Sequence, residues 1–366
     1  MEFESQQLTM EEKLENKRKK LNQRKKKKKK EKQYKLLSYE ELPEYMKENE
    51  YIRNYYRAEW PIKNALLSLF SWHNETLNIW THLLGFFAFL GLTLVHLSHH
   101  VPEVADFLGH LTWSISTNAV ENVSSNLGTF FVEAVAFIKL PVSLQADADV
   151  VESALPAAAA AARWPFFVFL GGSMFCLLSS SACHLLCCHS RRLSLFLLRM
   201  DYVGIAVMIV TSFFPPVYYI FQCDPHWRAT YLVAISAMGF VTVFTLLSPQ
   251  LSTGKFRAYR AMLFSGMGLF GLVPAAHAAV LNWGDPRRGV TMAYEAAMAA
   301  AYLTGTVFYV TRVPERWKPG WFDLAGHSHQ IFHVFVIAGA AAHYGAAVIF
   351  LQWRDQVGCE QSVHTL

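Results

Sequence analysis

Residues 326–339 read GHSHQIFHVFVIAG, three histidines within seven positions followed at once by an apolar run. His329 and His333 stand four apart. On a helix such residues share one face, with Cβ atoms about 5–6 Å apart, so their two imidazoles can reach one metal ion. The stretch lacks the glutamate of the HExxH zinc motif. Taken alone, it therefore suits better a pair of interfacial histidines that keep their polar tips in water. His327 precedes the helix and is assigned to solvent.

A metal site needs further ligands, and the elements that would bring them are membrane spans. The chain has 366 residues, 53% hydrophobic and only 17% charged, where a soluble domain carries nearer a quarter charged. Six stretches, about 78–97, 165–188, 202–222, 229–248, 260–281 and 329–351, are apolar over the length of about 20 residues that a bilayer core requires. A seventh, about 290–311, is alanine-rich and carries Glu295. Residues 127–144 are interrupted by Glu133, Lys139 and Pro141 and read as an interfacial or loop helix. The expected fold is an all-α membrane protein, a seven-transmembrane-helix bundle. Its parts would be a basic disordered arm (1–37), a juxtamembrane helical segment (38–77), the membrane domain (78–351) with a long loop at 98–164, and a short tail (352–366).

Orientation follows from Lys and Arg in the short loops. Arg191, Arg192 and Arg199, then Lys255 and Arg257, then Arg312, Arg316 and Lys318 fall on one side; Arg228, Arg287 and Arg288 fall on the other. The N-terminus is expected in the cytosol and the C-terminus outside it. That is the reverse of a G-protein-coupled receptor, and neither DRY nor NPxxY occurs. No internal repeat of the kind many transporters carry is visible.

Residues 1–35 hold 14 Lys/Arg against 6 Glu, while the rest of the chain is slightly acidic. The body lacks the basic face or zinc finger that nucleic-acid binding would need. The arm reads as a solvated tail, or else as a segment drawn to an anionic lipid surface. No apolar stretch precedes residue 65, so no cleavable signal peptide is expected. Cys176, Cys183, Cys187 and Cys188 cluster in one apolar stretch, where cysteine packs as a small hydrophobe. Cys223 and Cys359 could pair if both face an oxidising side.

The alternation of spans supplies the missing ligand. The second span ends in the cytosol with His184; the third opens there with Asp201; the seventh starts there with His329 and His333. Ionisable groups at such a depth are functional-site candidates by default. Three imidazoles with an open fourth position are the catalytic type of zinc site. Ser180, one turn before His184, points the same way and either orients a ligand or bonds within its own helix. His189 lies off the face of His184 and reads as a loop residue. His343 lies near the far side of the membrane. A site built from Cys183, Cys187 and Cys188 is the alternative, though these read better as packing residues. Small residues in the seventh span (Gly339, Ala340, Ala341, Ala342, Gly345) permit close packing within the bundle or between copies in a homo-oligomer.

ELPEYMKENEYIRNYYR before the first span, SWHNETLNIWTHLLG at its entry, the SxxxH of Ser180–His184, LRMDYVGIA, SFFPPVYY and RVPERWKPGWFDLAGHSHQIFHV occur in this order. Together they make the chain resemble the progestin and adipoQ receptor family, which includes adiponectin receptors and plant heptahelical proteins. The likeness runs from about residue 39 onward. It implies zinc held by His184, His329 and His333, a water at the zinc held by Asp201, and Ser180 as part of the same signature. It also implies either a receptor-like signalling protein, in stress or hormone responses as for plant members, or a zinc amidase acting on a lipid such as ceramide. The 98–164 insertion and the lysine-rich arm depart from the animal receptors, so a protein-hormone ligand does not carry over. An integral, multi-pass protein of the plasma membrane or an endomembrane is the expected setting.

Overall fold

The structure, a computed structural model, describes residues 15, 17–20, 35–98, 104, 161–248, 251 and 254–359. Most of the basic arm, most of the 98–164 loop with its candidate helix at 127–144, and the end of the tail lie outside the described residues. The helices are α1 (Ile62–Leu67), α2 (Thr76–Ser98), α3 (Trp164–Leu186), α4 (Arg191–Ser212), α5 (Phe214–Ile220), α6 (Pro225–Leu246), α7 (Arg257–Phe270), α8 (Leu272–Leu281), α9 (Arg287–Thr311) and α10 (Ser328–Gln356). Among the described residues, six units have the length and apolarity of a span: α2, α3, α4 with α5, α6, α7 with α8, and α10. At 25 residues, α9 is about 37 Å long, more than the roughly 30 Å of a bilayer core. Glu295 and the threonines, tyrosines and glycines of its sequence keep it below the apolarity of the others, not its length.

Two spans are broken where the sequence denies the backbone its donors. Pro215 and Pro216 carry no N–H, so the helix stops at Ser212 and restarts as α5 with a proline in its first turn, where the missing donor costs nothing. Gly271 separates α7 from α8, and Pro274 follows within the first turn of α8. The carbonyls at the end of α5 are taken up by Arg354 of α10. Its Nε donates to Tyr219 O at 2.8 Å, and its Nη2 to Tyr219 O at 2.5 Å and Ile220 O at 3.2 Å.

Two boundaries differ from the sequence reading. The third span begins at Arg191, so Arg191, Arg192 and Arg199 sit on α4 and not in a loop. Helical hydrogen bonding continues past the apolar core while the long basic side chains reach water. Residues 38–77 are not a continuous helix but 3-10 turns at Tyr39–Glu41, Glu44–Met46 and Ser68–Phe70 plus the six-residue α1. Pro43 and Pro61 each stand at the N-cap of a new turn and forbid continuation through it.

The small residues of α10 are used inside the bundle. A Cβ at Gly339 would lie 2.7 Å from the Tyr302 ring, and one at Gly345 would lie 2.6 Å from the Tyr294 ring. Both tyrosines belong to α9, which packs lengthwise on α10. Phe166, Phe169, Leu170 and Leu177 of α3 meet Tyr219 of α5 and Ala340, Ala346 and Ala347 of α10 in the main apolar core. Cys223 and Cys359 are joined in a disulfide with Cα atoms 5.4 Å apart. Cys176, Cys183, Cys187 and Cys188 are free thiols.

Candidate metal centre

His184 lies in the last turn of α3, and His329 and His333 open α10. One ring nitrogen from each falls within 4.8 Å of the others, and the Nε2 atoms of His184 and His329 are 3.1 Å apart. Two nitrogens bound tetrahedrally at zinc distances lie roughly 3.3 Å apart. The protonation pattern is set from behind. His184 Nδ1 is 2.8 Å from Glu75 Oε2. His333 Nδ1 is 3.1 Å from the Asn78 carbonyl and 3.2 Å from the Thr81 hydroxyl. Neither a carboxylate nor a carbonyl can donate, so both Nδ1 atoms carry a proton, and in the neutral rings the Nε2 atoms carry the lone pair. Lone pairs crowded at one point repel unless a cation lies among them. The donor set fits a metal ion.

Asp201 (α4) and Ser180 (α3) are buried and line the same cavity of about 380 Å³. The Ser180 hydroxyl lies beside the Asp201 carboxylate. Asp201 stands outside the group of mutually close ligand atoms, a position that suits acting on something held by the histidines and not binding the ion directly. The cysteine alternative finds no support: among the described residues, the group whose ligand atoms lie close enough to share an ion is His184, His329 and His333, without a cysteine.

Four residues at the entry of the first span were not singled out from sequence. Glu75, Asn78 and His82 share one face of α2, and Thr81 adjoins them. Burial alone would raise the Glu75 carboxyl. The hydrogen bonds from His184 and from the Asn78 amide, 2.6 Å away, outweigh it and hold Glu75 well below the usual carboxylate range. His82 stacks face to face on His333, ring centroids 3.6 Å apart. The visible signal was the spacing of Glu75, Asn78 and His82 in SWHNETLNIWTH.

Two further contacts pin the helices that carry the ligands. Arg57, 2% exposed, donates from Nη2 to His184 O (2.7 Å) and from Nη1 to Leu185 O (3.0 Å), closing the end of α3. Glu315, fully buried, accepts from the Ser328 backbone N–H at 2.7 Å and from its hydroxyl, a negative charge at the positive end of α10. His327 is not solvated: it is 5% exposed, with Nε2 3.4 Å from Asn74 O. The docked segment around Asn74 covers it. His189 binds Trp60 O at 2.8 Å and takes no part in the cluster. His343 pairs with Glu295 in the far half of the bundle.

Residues 70–344 match the sequence model of a family described as haemolysin-III related. The chain is 63% identical over 326 residues to heptahelical transmembrane protein ADIPOR1 of Oryza sativa subsp. japonica, covering 89% of this chain and 86% of that one. It is 55% identical over 324 residues to heptahelical transmembrane protein 1 of Arabidopsis thaliana, covering 88% and 83%. Identity to the adiponectin receptor protein of Drosophila melanogaster is 32% over 313 residues, covering 85% and 58%.

Proposed function

The chain belongs to the haemolysin-III-related family, that of the progestin and adipoQ receptors, and from that premise we propose that it is an adiponectin-receptor-like signalling protein with zinc held by His184, His329 and His333. The observation that carries this reading is the convergence of three imidazoles, two of which have their Nδ1 atoms already engaged from behind. Its ligand is a lipid or lipid-derived molecule, since the cavity at the cluster lies inside the bundle, walled by Ile205, Met208 and Val336. The plant relatives support a role in hormone or stress responses. Orientation draws support from the disulfide, which lies past the end of α10 opposite the histidines. Disulfides persist in oxidising compartments, so the metal centre would face the cytosol, and the segment before α1, packed at that end, with it.

A second reading is favoured by Asp201 and Ser180, which a purely structural ion would not need. In it the protein hydrolyses a lipid amide such as ceramide. Bound zinc would polarise the amide carbonyl and bring the pKa of water towards about 7. Asp201 would take the proton of the attacking water, with Ser180 orienting its carboxylate. Glu75 would hold the His184 ring, and the apolar wall would keep the acyl chain in and bulk water out.

Metal analysis of purified protein tests the common premise. One zinc per chain is expected in the wild type and in Asp201→Asn, and His329→Ala should lose it; full retention in His329→Ala overturns the ligand assignment. Ceramide turnover then separates the readings. Hydrolysis lost in Asp201→Asn supports the enzyme, whereas two zinc-loaded proteins that both fail to hydrolyse leave the receptor.

A further inference from the structure

A second cavity of about 370 Å³ occupies the half of the bundle away from the metal centre, between α5, α8, α9 and α10. Its volume is that of a small-molecule site. The walls are largely apolar, among them Val217, Ala275, Met292 and Phe350. It abuts the first cavity across Met208, Ile209, Leu272 and Tyr302, which line both.

Glu295, in the middle of α9, places a carboxylate in this wall. Its partner is His343, whose Nδ1 lies 3.0 Å from it. His343 is 1% exposed and packs edge-on against Phe169, ring centroids 4.8 Å apart. The imidazole hydrogen-bonds one carboxylate oxygen, Oε2, at 3.1 Å, while Oε1 is buried without a hydrogen-bond partner of its own. The other charged residues lining the cavity are Arg287, paired with Asp285 at 3.1 Å, and Arg288, which lies over the Trp283 ring at 4.2 Å. Two turns along α9 from Glu295, the Tyr302 hydroxyl is buried without a hydrogen-bond partner. A carboxylate oxygen and a hydroxyl, both without hydrogen-bond partners, thus share one largely apolar cavity. Leaving such groups uncompensated within a membrane is costly.

We propose that this cavity is a second ligand site, distinct from the metal centre, that takes an amphipathic amine: a protonated nitrogen against Glu295, a hydrogen-bond acceptor at Tyr302, and a hydrocarbon body along α8 and α10. An anionic ligand would meet the carboxylate of Glu295. A calcium or magnesium ion would find one carboxylate where it takes six or more oxygen ligands. Met208, Ile209 and Leu272 stand between this site and the histidines, so its occupant does not require the metal.

The test uses the purified full chain in phosphatidylcholine nanodiscs and a photoreactive dodecylamine, with the matching alcohol and carboxylic acid as controls. Labelling of α8, α9 and α10 peptides by the amine should exceed that by either control by about tenfold, equivalent to about 1.4 kcal/mol. Glu295→Gln should erase the preference, and Ala275→Trp, which fills the cavity and leaves the Glu295–His343 pair intact, should erase the labelling itself. Stripping metal with a chelator should leave both unchanged, which separates this proposal from the zinc reading. Equal labelling by all three probes, wild-type preference in Glu295→Gln, or full labelling in Ala275→Trp would overturn it. Should Glu295→Gln fail to fold, the cavity-filling variant and the controls decide.

Discussion

Removing the carboxylate behind His184 isolates what orientation of a ligand contributes to the metal centre. Glu75 accepts from His184 Nδ1 at 2.8 Å and from the Asn78 amide at 2.6 Å. Glu75→Gln keeps an oxygen acceptor in place but removes the charge that strengthens the first bond. Glu75→Ala leaves a buried N–H on His184 and another on Asn78 without partners. Loss of such outer partners typically weakens metal binding 10–100-fold, about 1.4–2.7 kcal/mol. We therefore expect roughly a tenfold loss of zinc affinity in Glu75→Gln and a loss nearer a hundredfold in Glu75→Ala. Competition of the purified protein against a fluorescent zinc chelator at fixed pH reads this directly. Thermal unfolding in excess chelator serves as the control, because an effect exerted through the ion should shrink once the ion is gone. Zinc affinity of Glu75→Ala equal to wild type would refute the reasoning, whatever happens to its melting temperature.

His73 is buried, its Nδ1 accepting from Glu75 N–H at 3.1 Å and its Nε2 donating to Ser68 O at 3.2 Å; burial, with Arg57 nearby, lowers its pKa from 6.5 to about 4. The unfolded chain binds the extra proton first, so stability present above pH 6.5 is lost as pH falls towards 4, by about 3 kcal/mol in full. Melting curves of chelated protein across this range should show the loss, and His73→Asn should flatten it. Gly339→Ala should cost about 1–3 kcal/mol, since its Cβ would lie 2.7 Å from Tyr302. Adding Tyr302→Leu should recover most of that in the same unfolding assay. Arg57→Ala should cost about 3 kcal/mol by freeing the carbonyls of His184 and Leu185, and Arg57→Lys should not rescue it, because one ammonium cannot reproduce the forked contact. Circular-dichroism melts in detergent check both.

The part of the site legible in sequence was the part built on spacing. His329 and His333 announce themselves by a helical interval at the edge of an apolar run, and the alternation of spans brings His184 and Asp201 to them. Glu75, Asn78 and Thr81 stayed silent because polar residues at a membrane border need no special explanation until a ring is found pressed against them. His327 was misassigned for the same reason: its cover comes from Asn74, more than 250 residues away in the chain, and no local pattern encodes that. The helix breaks at Pro215 and Gly271 could be read from missing donors and missing side chains. The start of α4 could not, because hydropathy marks where a helix meets lipid and not where its hydrogen bonds begin.

The disulfide between Cys223 and Cys359 turns the later part of the molecule into a covalent ring. Every residue from 224 to 358, with α6 to α10, lies on that ring, while His184 sits on the strand of chain that leads into it. A protease that cut once after Lys255 would therefore release nothing: the pieces would migrate together on a gel until a reductant was added. His329 and His333 would stay tethered to the chain that bears His184 by two routes, one through sulfur and one through whatever ion the three share. Cleavage, reduction and chelation applied in turn should thus undo the protein in stages, and only removal of all three constraints leaves non-covalent packing alone to hold the halves together.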